Sequence, residues 1–194
     1  MNKQPEQTAM TKKKIVDSFL SLAKKQGIDK VSITEVMKLA GYNRGTFYLY
    51  FSDINDLIVK IEKEIISDFH IRVSAIKDDI SALNFQEASN KVAHFLSIYD
   101  EQIFLLLSSK GDPRFYSALQ SEAHRLVSGS FHELDQHPYK EYMVASYSSA
   151  ILGLLTYWHN TGRKVPVDKI VAHMENLWMN GLKNVIIDKS NGQA

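Results

Sequence analysis

Apolar residues recur at helical spacing along almost the whole chain, and no alternating run bounded by turn residues reads as a strand. The pattern predicts an all-α protein. A first helix over about residues 11–26 carries Ile15, Val16, Phe19, Leu22 and Ala23 on one stripe, with Lys24 and Lys25 suited to the carboxyl end of its dipole and Gly27 as its left-handed stop. Ser32 and Glu35 form an S-x-x-E capping box, with Val31 and Val36 placed as its hydrophobic staple, and the helix they open ends at Ala40 before Gly41. Asn43 caps a third, short helix over about residues 44–51. Ser52 or Asp53 caps a long fourth one, marked by Leu57, Ile61, Ile65 and Phe69 and continuing loosely towards Ile80.

Further along, Asn84 with Glu87 opens a helix whose apolar side holds Val92, Phe95, Leu96 and Tyr99, and Asp112 before Pro113 starts another that reaches about His132. Pro138 breaks the chain again. The last two helices, about residues 139–160 and 167–185, flank a TGRKVP turn. The reading is an amino-terminal three-helix module joined through helix four to a larger helical body, about nine helices in all. The boundaries are residues 1–55 for the module and 56–194 for the body.

Composition narrows the function classes. The chain has 194 residues and no Cys, which removes disulfides, thiolate zinc sites and cysteine nucleophiles and fits a cytoplasmic location. The opening MNKQPEQTAMTKKK lacks the apolar stretch of a secretory leader, so the mature chain is expected to begin there. The uncharged stretch from Tyr142 to Gly162 is long enough to span a bilayer, but Ser146, Ser148, Ser149, Thr156, His159 and Asn160 interrupt it, so it reads as a buried helix and no membrane partner is expected.

The net charge of +1 conceals an asymmetry. Residues 1–60 carry 10 Lys or Arg against 6 Asp or Glu, whereas the remainder carries 13 against 16. A basic amino-terminal module on a mildly acidic body fits one end that meets a polyanion.

Two short helices joined through Gly41 in such a module form a helix-turn-helix, whose second helix can enter the major groove of double-stranded DNA. On a helical wheel Phe47 and Phe51 lie within about 40° of each other and face the module's core, which turns Gly45, Thr46 and Leu49 outward. Leu49 can meet a thymine methyl, Arg44 can reach guanine O6 and N7, and Gly45 lets the backbone approach the duplex. Tyr48 and Tyr50 flank that surface with hydroxyls able to bond phosphates, and Ser32 and Thr34 at the start of helix two can do the same.

The run SITEVMKLAGYNRGTFYLYFSDINDL, with its core Gly45, Thr46, Phe47 and Tyr48, closely resembles the amino-terminal signature of TetR/AcrR-type transcriptional regulators over about residues 11–60. The carboxyl-terminal pattern, with Gly153 before Trp158 and a turn leading into the final helix, resembles the family more loosely. The resemblance implies a homodimer paired through its carboxyl-terminal helices, a near-palindromic operator, and repression released by a small-molecule inducer bound in the body. The wide apolar arcs of the last two helices independently suit an isologous two-fold interface. Phe95, Tyr99, Phe104, Phe115, Tyr116, Tyr147 and Trp158 are available as apolar lining for such an inducer. One departure stands out: the family's phosphate-binding lysine near the start of helix four is replaced by Ile54, which leaves Lys60 or the lysines at 12–14 to supply that charge. The same departure motivates the alternative of a co-regulator with this fold that acts through protein–protein contacts.

No catalytic, cofactor or metal site is expected. HELDQH, from His132 to His137, has one residue too many for the H-E-x-x-H zinc motif, since positions five apart point about 140° from each other on a helix. Histidines 70, 94, 124, 159 and 173 have no ligand-spaced partner in sequence, although His94 and His124 are placed to line a pocket in the body. Ser108-Ser109-Lys110 is not a catalytic S-x-x-K, and no G-x-S-x-G or glycine-rich phosphate loop occurs.

Overall fold

Helix α1 (Lys3–Gln26) begins well before the apolar stripe that predicts it. Its first turns are polar but favour helix: Glu6 lies at the positive end of the dipole, and the Thr11 hydroxyl donates to the Gln7 carbonyl at 2.8 Å. Apolar periodicity is silent where a helix buries nothing. The computed structural model describes residues 3–81, 85–108, 111–130, 135–174, 176, 177 and 180, and every regular element among them is helical.

Gly27 ends α1 at φ 91° and ψ 152°, a positive-φ conformation favouring glycine but extended rather than the expected left-handed helical one. The chain then makes a single 3-10 turn, Ile28–Lys30, that the spacing does not reveal. Helix α2 (Ile33–Ala40) opens on the predicted capping box: the Glu35 amide donates to Ser32 Oγ at 3.3 Å while the Ser32 amide donates to Glu35 Oε2 at 3.1 Å. Val31 and Val36 are both buried beside it. Gly41 closes the helix in the left-handed region, at φ 76° and ψ 28°.

Helix α3 (Arg44–Tyr48) is shorter than predicted, although Leu49 remains helical in φ and ψ and the Phe51 amide still reaches the Phe47 carbonyl at 2.9 Å. Helix α4 (Ile54–Ser81) follows at the expected place, its first turn tied by Asp53 Oδ1 to the Asp56 amide at 2.7 Å. Helices α5 (Phe85–Leu107), α6 (Pro113–Ser130) and α7 (Lys140–Asn160) match the predicted order, and an eighth helix is described over residues 167–174. Helix α5 is kinked at Tyr99, where φ is −113° and ψ 15°, so the regular spacing through Tyr99 conceals a break. The predicted cap at Asn84, the segment 131–134 that holds the first half of HELDQH, and Trp178 with the end of the last helix lie outside the described residues.

The chain divides into two compact units. The first comprises residues 1–68 and 99–117, so a segment distant in sequence joins the amino-terminal helices. Its core holds Ile15, Phe19, Val36, Met37, Phe47, Phe51, Leu57, Ile65, Ile103 and Phe115. Each such large side chain contributes about 1.5–3 kcal/mol by leaving water. The second unit, residues 69–98 and 118–194, has its own core, in which Phe69 and Phe95 meet at 5.1 Å between ring centroids with Leu126, Val144, Leu152 and Val171 also buried.

Helix α7 in the second unit turns Val144, Ser148, Leu152 and Leu155 inward. Ser148 satisfies its hydroxyl on the Ala145 carbonyl at 3.2 Å. Its outer side exposes Tyr142, Ser146, Ala150, Gly153 and Tyr157, an uncharged stripe of small residues between tyrosines. Among the described residues no helix is long and apolar enough to cross a membrane.

Candidate nucleic-acid interface

Asn43 sets the geometry of α3. Its Oδ1 accepts the Thr46 amide at 2.9 Å and the Thr46 hydroxyl at 3.2 Å, which fixes the first turn. A Cβ at Gly45 would lie 3.1 Å from Asn43 Oδ1, so a larger residue there would press on the cap. The phenyl rings anchor the helix from behind: Phe47 and Phe51 are buried, with centroids 5.4 Å apart.

With those rings inward, Leu49 is 76% exposed. Arg44 and Gly45 are also exposed, Thr46 is half-buried with its hydroxyl committed to the cap, and Tyr48 is exposed while Tyr50 is half-buried. Arg44 and Tyr48, one turn apart, are bonded to each other: Nη2 and Nε of the guanidinium donate to the phenol oxygen at 2.9 and 3.2 Å. Leu39 on α2, 54% exposed, is a second outward leucine that the sequence reading passed over. Its place one residue before Ala40 at the end of the α2 stripe was the available signal.

At the start of α2, Thr34 is exposed, whereas the Ser32 hydroxyl donates to Glu35 Oε2 at 2.6 Å. Hydrogen bonds from the Ser32 hydroxyl and amide hold the Glu35 carboxyl below its ordinary value, so the anion-friendly helix end already has a carboxylate partner. Of the two cation sources suggested by Ile54, Lys60 is engaged, with Nζ 2.8 Å from Asp56 Oδ2 and 2.9 Å from the Tyr50 carbonyl. Lys13 is paired with Asp17 at 3.1 Å. Lys12 stands over the Tyr50 ring at 5.6 Å and Lys14 over the Tyr42 ring at 5.9 Å.

Elsewhere in the same unit, Arg114 on α6 donates to Asn55 Oδ1 on α4 at 3.1 Å and pairs with Asp112 at 2.6 Å. Glu62 lies near this pair with Oε1 buried; burial first, then the neighbouring Asp112 charge, push its carboxyl up to about 7. Arg114 holds the Asp112 carboxyl below its usual range.

Among the described residues no group of three or more His, Asp or Glu is placed to hold a metal ion. In the second unit, Arg72, Glu87, Asn90, Lys91 and His94 line a cavity of about 370 Å³. His94 is the residue there that the sequence pointed to; Phe95, Phe104 and Phe115 are core instead.

Residues 15–61 match the model of bacterial regulatory proteins of the tetR family, and residues 84–180 match a transcriptional regulator C-terminal region of the same group. A curated relative, the HTH-type transcriptional regulator YvdT of Bacillus subtilis (strain 168), is 40% identical over 63 residues, a match that spans 32% of this chain and only 32% of that protein. Among solved structures, the fatty acid degradation regulator FadR from Bacillus halodurans superposes with a TM-score of 0.70 at 15% identity, covering 89% of this chain and 96% of that one. SmeT of Stenotrophomonas maltophilia, in its triclosan complex, gives 0.70 at 12% identity, covering 88% and 90%. NalD, the secondary repressor of the MexAB-OprM efflux pump in Pseudomonas aeruginosa, gives 0.68 at 17%, covering 88% and 94%. At these identities the structures establish the shared fold, and the two family matches together span the helix-turn-helix and most of the body. The chain belongs to the TetR/AcrR family of transcriptional regulators.

Proposed function

We propose that this member of the family binds double-stranded DNA sequence-specifically as a homodimer and acts as a repressor released by a small-molecule inducer. Residues 1–55 form the reading module and residues 56–194 the regulatory and dimerising body. The observation that carries the reading is the pairing of opposite faces at α3: Phe47 and Phe51 are buried, while Leu49 is 76% exposed and Arg44 is exposed as well. A thymine methyl gives the outward leucine an apolar contact and guanine gives Arg44 paired acceptors. Gly45, Thr46, Tyr48 and Tyr50 complete the face, with Thr34 and Ser32 at its α2 margin; Thr46 and Ser32 contribute chiefly by holding the caps.

Dimerisation through the last two helices is supported by the uncharged stripe on α7, where Ala150 and Gly153 allow a second helix to approach closely between Tyr142 and Tyr157. Inducer release is supported by the triclosan complex of SmeT. The cavity of about 370 Å³ in the second unit is available to such a molecule. Selection of bound fragments from a random duplex library tests the reading: it predicts an enriched near-palindrome whose half-sites repeat at a helical spacing. Recovery of no preferred sequence, with no affinity for any duplex at low salt, contradicts it and favours docking on another protein.

A further inference from the structure

A helix lying in the major groove has phosphates on both sides, so cations placed near both ends of its recognition segment add affinity for the duplex. The start of α4 carries Ile54 and no lysine or arginine before Lys60. Tyr42 precedes α3 and Tyr50 follows it, and each carries a lysine from α1 over its ring: Lys14 over Tyr42 at 5.9 Å and Lys12 over Tyr50 at 5.6 Å. Both lysines are exposed, and neither forms an ion pair among the described residues. Their neighbours differ. Lys13, between them, is neutralised by Asp17 at 3.1 Å, and Lys60 is neutralised by Asp56 at 2.8 Å.

The geometry points to Lys12 and Lys14 as a pair of phosphate clamps, one beside the residue that leads into α3 and one beside the residue that follows it. The tyrosine faces favour these positions for each ammonium without consuming its charge, because a cation over an aromatic ring keeps its donors free for a phosphate. An ion pair such as Lys60–Asp56 instead offers a phosphate no net charge. The clamp is sequence-independent, so it sets affinity and register while Arg44 and Leu49 set specificity. This assignment rests on the DNA-binding reading above.

The test is a salt titration of the full chain on a mixed-sequence duplex, comparing Lys12→Ala, Lys14→Ala and the double variant with Lys13→Ala, which removes the same charge from the same helix. Each clamp lost should make the slope of log K against log salt shallower by about 0.9 for each head engaged. Lys13→Ala should leave the slope near that of the unsubstituted chain, and Lys12→Arg with Lys14→Arg should restore it. Helicity and thermal midpoint, measured alongside, identify any variant that loses its fold, and the arginine pair keeps the charge question open in that event. Duplex binding by the unsubstituted chain, with slopes unchanged in the alanine variants, overturns the clamp alone. No duplex binding by the unsubstituted chain at low salt overturns the DNA-binding reading and the clamp with it.

Discussion

The guanidinium of Arg44 rests on Tyr48: Nη2 lies 2.9 Å and Nε 3.2 Å from the phenol oxygen, and the cation stands 5.7 Å from the ring centroid. The bond uses only part of the arginine's fork and leaves other N–H groups for a base edge. On the proposed reading Tyr48 positions Arg44, and its own O–H remains able to donate to a phosphate. Arg44→Ala is expected to cost about 1–3 kcal/mol on the selected sequence and much less on random duplex. Tyr48→Phe should shift discrimination in the same direction by less. Fluorescence anisotropy with matched and mismatched duplexes reads both, and equal loss on both duplexes would remove Arg44 from base readout.

Phe47 is fully buried at the back of α3. Phe47→Ala should destabilise the chain by about 3–5 kcal/mol, through lost burial and the cavity left behind. Chemical denaturation checks it; a loss under about 1 kcal/mol would mean the ring does not anchor the helix.

The Asn43 cap predicts a smaller effect. Asn43→Ala leaves the Thr46 amide and hydroxyl without their acceptor and should cost about 1 kcal/mol. Gly45→Ala, by crowding Asn43 Oδ1, should weaken duplex binding without a comparable loss of stability. An Asn43→Ala midpoint equal to that of the unsubstituted chain would contradict the cap.

Glu62 gives the protein a pH dependence near neutrality. Its carboxyl titrates at about 7 when folded and near its ordinary 4.5 when unfolded, so between those values the folded state binds more protons. Stability should fall as pH rises through that window, and the penalty should be complete above it. Asp112 runs the other way: held low by Arg114, its contribution is present above the ordinary 3.8 and is lost as pH falls through its folded value. The windows do not overlap. Thermal midpoints between about pH 5 and pH 8 should therefore decline in the unsubstituted chain and flatten in Glu62→Gln. Identical profiles would contradict the assignment.

The local chemistry of the reading head was legible because each signal lies within a few residues of its effect. Ser32 with Glu35, Gly41 and Asn43 all act across one turn, and all three appear where the sequence places them. The start of α1 was not legible, since a polar helix leaves no apolar stripe. Nor was the kink at Tyr99, because helical spacing continues through it. The Glu62, Asp112 and Arg114 cluster joins residues far apart in the chain, and the lysines over Tyr42 and Tyr50 depend on how α1 packs. Such pairings are decided by tertiary packing. The family resemblance at Gly45, Thr46, Phe47 and Tyr48 identified the module, but it did not indicate that Thr46 serves the cap or that Arg44 leans on Tyr48.

The most direct measurement is selection from a random duplex library by the unsubstituted chain and by Leu49→Ala and Arg44→Ala in parallel. The account predicts one enriched near-palindrome for the unsubstituted chain, loss of a thymine preference in the leucine variant and of a guanine preference in the arginine variant, at symmetric positions in both half-sites. The same sequence logo from all three proteins would contradict it.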